Sequence, residues 1–180
     1  MISAIAKPAA SIPVFRARDL TCVHGANEGD DLTFAEELTL DDTYWFSDTA
    51  RQVRLGIESS DSGAITVGED TGVGTAGASL HLDSCLTFMS PDGTTTEVLI
   101  LVEVDMFGDA AAVYALPLAP LTAKTDYTLV GIDIEDAARK FAEVACVSFT
   151  RGTRITLASG AQRVIEKLSV GDRVITRDNG

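Results

Sequence analysis

The chain has 180 residues, 46% hydrophobic and 23% charged, enough for one domain or one domain plus a fragment. No apolar run approaches the ~20 residues a membrane-spanning helix needs, so membrane insertion is not expected. The net charge of −13 would repel phosphate backbones and anionic lipid, which removes nucleic acid from the expected partners. Residues 1–7 offer neither a basic n-region nor an h-region of useful length. The chain therefore reads as cytoplasmic, or as exported by a route that needs no signal peptide.

In chain order, residues 1–50 are mixed, with one short extended stretch at Ile12, Pro13, Val14 and Phe15 and a loop by composition at 25–31. Trp45, between Tyr44 and Phe46, is expected as a core anchor. From residue 51 a β pattern is plain, because Val53, Leu55 and Ile57 alternate with Arg54, Gly56 and Glu58. Further β stretches fall at 64–67, 80–82 and 85–89. Ser90-Pro91-Asp92-Gly93 is a turn signal, and the apolar run 98–102 inside 97–104 suits a buried central strand. Met106-Phe107-Gly108-Asp109 turns the chain, 112–116 returns it, and 127–132 closes the series. Hairpin spacing of this kind predicts an antiparallel β-sandwich or barrel-like domain. One short helix is expected after Asp133 or Glu135, with Ala137, Ala138, Phe141 and Val144 on its apolar face.

Several tempting motifs carry little. Gly72-Val73-Gly74-Thr75-Ala76-Gly77 fits G-x-G-x-x-G, but acidic Glu69-Asp70 precedes it and a strand-like stretch follows it. A dinucleotide needs a strand before and a helix N-terminus after, so a flexible β–β loop is expected instead. Three cysteines (Cys22, Cys85, Cys146) at wide spacings argue against a disulfide framework and a zinc cluster, though one bridge stays open. The acidic pairs Asp30-Asp31, Asp41-Asp42 and Glu69-Asp70 lack EF-hand spacing and read as solvated loops. His24 and His81 are far apart with no Ser/His/Asp pattern around them. No cofactor and no metal is expected.

The charge is uneven. Residues 151–180 hold six basic groups (Arg151, Arg154, Arg163, Lys167, Arg173, Arg177) against three acidic ones, net +3, which leaves −16 on residues 1–150. That step points to two units, 1–145 and 146–180. In the second unit, 154–157 reads as a short strand, Ala158-Ser159-Gly160 as a turn and 162–164 as a second strand. Ile165, Leu168 and Val170 anchor a corner, and Gly171-Asp172 leads into a third strand, 173–176.

This order, with Gly152-Thr153 before the first strand and Gly171-Asp172 before the third, resembles the opening block of the Hedgehog/intein (Hint) family, particularly bacterial Hint proteins with a β-rich domain ahead of the module. The resemblance covers about 33 residues. It implies an all-β Hint fold, of which this chain holds a truncated start, and an autoproteolytic or splicing-type acyl shift from nitrogen to oxygen or sulfur. The family's nucleophile stands four residues before the Gly of Gly-Thr, which selects Ser148; Cys146, two residues earlier, is the better nucleophile chemically. The family's assisting histidine belongs to later blocks, so the 180-residue chain is expected to be inactive by itself. The competing reading is a non-enzymatic binding or structural β domain that meets a protein or ligand through residues 1–145, with a remnant Hint segment.

Overall fold

The computed structural model describes residues 9–60 and 64–147, and further along 154–157, 162–164 and 167. Its strands are β1 (Ala9–Arg16), β2 (Leu20–His24), β3 (Thr43–Phe46), β4 (Val53–Ser59), β5 (Ile65–Val67), β6 (Ser79–Met89), β7 (Thr95–Val104), β8 (Ala110–Pro117) and β9 (Thr125–Asp133). One helix, α1 (Ala137–Val147), follows, and then β10 (Arg154–Thr156) and β11 (Gln162–Val164). Every pairing is antiparallel. The first nine strands form one sheet in the order β2-β3-β9-β6-β5-β4-β1-β8-β7, and β7 pairs back onto β6. Strands β6, β5, β4, β1, β8 and β7 thereby close a six-strand barrel, with β9, β3 and β2 as a flap running from β6. Closure removes two sheet edges that would otherwise invite pairing with another chain.

The run 98–102 explains how barrel and flap share one strand. Leu99 and Leu101 point into the barrel interior with Ile12, Val14, Leu55 and Leu116. Val98, Ile100 and Val102 point the other way, against Phe15, Tyr44, Phe88 and Leu129. A strand apolar at every position is what burial on both faces requires, because successive side chains alternate. In the second cluster Phe88 is fully buried and meets Tyr44 and Tyr127 edge to face, at centroid distances of 5.8 and 6.4 Å. A bulge between Leu82 and Ser84 in β6 shifts the strand's register on β7.

The expected mainly β architecture with a single short helix is what forms. Two local expectations change. Trp45 is not a core anchor: it is 38% exposed while Tyr44 and Phe46 are buried, because a four-residue strand alternates and β3 turns its two outer aromatics inward. Ala138, placed on the apolar face of α1, is exposed, while Ala137 and Phe141 are buried against the barrel. Strands β2 and β3 left no clear signal, being five and four residues long. Among the described residues no helix is long and apolar enough to cross a bilayer.

Candidate functional site

Helix α1 is the last described element before the stretch that holds most of the residues nominated from sequence. It starts after Asp133, whose carboxylate accepts the Asp136 N–H at 2.9 Å, as a side-chain cap does for an orphan amide near a helix N-terminus. Its first two turns are fastened to the barrel. Ala137 and Phe141 fill the end of the interior core, and Lys140 forms an ion pair with Glu97 of β7. Lys140 Nζ also lies 3.6 Å from Asp136 Oδ2 and 3.8 Å from Cys85 Sγ of β6. The bond to Glu97 raises the Lys140 pKa, so the ammonium stays charged. Burial pushes the Cys85 thiol up, against the opposing pull of Lys140. Cys22 and Cys85 are both free thiols, and they sit in different core clusters.

On the outer side of α1, Arg139 grips Asp136 with two hydrogen bonds of 2.6 and 2.5 Å and reaches Glu143 at 2.6 Å. The Arg139 bond holds the Asp136 carboxyl below its ordinary 3.8. A depressed carboxylate stabilises the fold above its unfolded pKa, and that contribution is lost as pH falls through the lower folded value. Hydrogen-exchange protection of residues 137–141 should therefore fall below about pH 4, and more steeply at low salt, where this exposed network is least screened. Protection that persists unchanged to about pH 2 would show that core packing alone holds α1.

Of the residues nominated from sequence, Ser148, Gly152, Thr153, Gly171 and Asp172 lie outside the described residues. Cys146 falls within α1, one residue before its end at Val147. Beyond it, β10 and β11 pair as an antiparallel hairpin in a sheet of their own, with Arg154 opposite Val164, Ile155 opposite Arg163 and Thr156 opposite Gln162. These are the two strands expected between Gly152-Thr153 and the Ile165 corner.

No protein-family model matches the chain. No curated protein and no solved structure matches it either.

The discarded motifs have structural occupations. The Gly-rich segment joins β5 to β6, but it is pinned rather than loose. Gly68 N–H bonds Gly56 C=O at 2.9 Å, Gly72 N–H bonds Arg54 C=O at 2.8 Å, and Thr75 N–H donates to Glu103 Oε1 at 3.0 Å. An amide that a phosphate would need is already held by a carboxylate, so the segment makes a poor nucleotide cradle. His24 ends β2 and is exposed. His81 is an exposed residue of β6 opposite Val102. Asp42 is not a solvated loop acid: it is buried and accepts the Ala26 and Asn27 amides at 2.6 and 3.2 Å. Sequence reasoning missed Lys140 and Glu97, which meet across 43 residues of chain; a lone Lys in a helix and a lone Glu at a strand start carry no signal of each other.

Proposed function

We propose that this chain is the opening of a Hint-type self-processing protein, in which a β-barrel domain is joined through α1 to a processing junction between Val147 and Ser148. The observation that carries this reading is the β10–β11 hairpin, whose paired strands fall where the Gly152-Thr153 motif calls for them. The reaction would begin with attack of the Ser148 hydroxyl on the Val147 carbonyl, leaving an ester in place of the amide, with the proton passing to the departing nitrogen.

The register with Gly152-Thr153 favours Ser148 as the nucleophile ahead of Cys146.

The test is to express the chain with the gene sequence that follows residue 180 and to treat it with hydroxylamine, which traps an ester as a hydroxamate. The supporting result is a fragment ending at Val147. An uncleaved chain, or a cut elsewhere, overturns the reading. The 180-residue chain alone should stay intact on long incubation by mass spectrometry. Without an acid to protonate the departing nitrogen, the shift runs uphill from amide to ester and reverts.

A further inference from the structure

Two turns at opposite ends of β7 share one backbone design. In the β6–β7 turn, Ser90 N–H bonds Thr94 C=O and Gly93 N–H bonds Ser90 C=O, both at 2.9 Å. In the β7–β8 turn, Asp105 N–H bonds Asp109 C=O at 2.9 Å and Gly108 N–H bonds Asp105 C=O at 3.2 Å. Gly93 and Gly108 take the same left-handed conformation, φ 84° and 92°. Both are three-residue hairpin loops in which a turn runs into a glycine bulge.

The side chains at the two central positions differ sharply. The first turn has Pro91 and Asp92, and Asp92 accepts the Thr94 amide at 2.9 Å. The second has Met106 and Phe107, 89% and 82% exposed, the two most exposed large apolar residues among those described. The backbone geometry therefore does not demand apolar residues at these positions, since the same loop is built with Pro and Asp. Nor is the tip slack, because Asp105 Oδ1 accepts the Phe107 and Asp109 amides at 2.8 and 3.0 Å. A rigid display of Met beside Phe is pre-organised contact surface, and aromatic residues and Met are enriched at interface cores. A groove of about 470 Å³ lies alongside, lined by Gly77, Ala78, Val104 and Ala111 among others, and extends the contact area.

We infer that the Met106–Phe107 tip is a protein-docking plug that seats in an apolar pocket with a basic rim. Charge decides among the occupants. Asp105 and Asp109 flank the tip on a unit carrying −16. A second copy would bring the same acidic flanks, and an anionic bilayer would repel them; a Lys/Arg-rimmed pocket is the surface that complements them.

The test transplants the polar turn: Met106→Pro with Phe107→Asp puts the β6–β7 loop's residues on the β7–β8 backbone. A random-peptide display library is panned on the natural chain and counter-selected on the variant, and the enriched peptides are synthesised and titrated. The expected result is peptides with an aromatic or aliphatic centre and Lys/Arg flanks. They should bind the variant at least about tenfold more weakly, as loss of a central aromatic anchor dictates, and lose affinity as salt rises. Four outcomes overturn the proposal. One is the absence of variant-sensitive peptides, or their lacking basic flanks. A second is tip-dependent sedimentation with phosphatidylcholine or phosphatidylglycerol vesicles. A third is concentration-dependent dimerisation abolished in the variant. The last is a large fall in unfolding midpoint, shared by Phe107→Ser, which would make the tip a folding element.

Discussion

Carried on past residue 180 and treated with hydroxylamine, the chain should release a fragment ending at Val147, and Ser148→Ala should abolish that release while Cys146→Ala leaves it nearly unchanged. The asymmetry follows from how such a step gains its rate. A side chain held against its own preceding carbonyl draws most of its advantage from proximity, and a positioned acid adds about 10²–10⁴-fold. Nothing replaces the nucleophile once its oxygen is gone, whereas a neighbour contributes only packing. Ser148→Cys should keep the shift and make the junction sensitive to dithiothreitol as well, since a thioester exchanges with free thiols far more readily than an oxygen ester. Loss of cleavage in Cys146→Ala, with Ser148→Ala still active, would mean that the motif carries two extra residues.

Much of the barrel was legible because its signals are local. The apolar run 98–102, the Ser90–Gly93 and Met106–Asp109 turns, the Val53/Leu55/Ile57 alternation and the α1 start after Asp133 can each be read within ten residues. What stayed hidden depends on distant partners. Trp45 looked like core because it is large and apolar, yet the parity of β3 is set by which neighbours Tyr44 and Phe46 meet across the flap. Gly56 looked like a solvent-facing position of β4 but is covered, since a Cβ there would lie 2.8 Å from the Asp70 carbonyl of the Gly-rich segment. That segment looked flexible because glycine suggests freedom, and its fastening comes from Gly56 and Arg54 of β4 and from Glu103, 28 residues beyond Thr75. The candidate chemistry was legible only as a spacing of residues around Gly152-Thr153, and of its expected structure the described residues hold the β10–β11 pair.

Glu103 is a buried polar side chain whose loss should be costly. It is 3% exposed, and each carboxylate oxygen has one donor: Tyr114 Oη at 2.6 Å and Thr75 N–H at 3.0 Å. Gly74 stands over the pair at φ 85°, where a Cβ would come within 2.8 Å of Oε2. Glu103→Leu strands the buried Tyr114 hydroxyl, at about 1–3 kcal/mol, and unties the amide of exposed Thr75, so a loss of about 2–4 kcal/mol is expected. Glu103→Gln keeps the shape and can still pair with both partners, since its carbonyl oxygen can accept the Thr75 amide and its NH₂ can donate to the Tyr114 oxygen; it should cost less than about 1.5 kcal/mol. Tyr114→Phe in the Glu103→Leu background removes one stranded group, and the double variant should lose less than the sum of the singles. Urea unfolding reads all three as midpoint shifts at constant slope. The same cluster makes an alkaline limit. Burial first, and then the bond to Glu103, raise the Tyr114 pKa above its ordinary 10.0. The unfolded chain thus releases that proton before the folded one does, and stability should fall as pH climbs past about 10. In Tyr114→Phe that component of the alkaline fall should disappear, and if the pH profile keeps its shape the titrating group lies elsewhere in the fold.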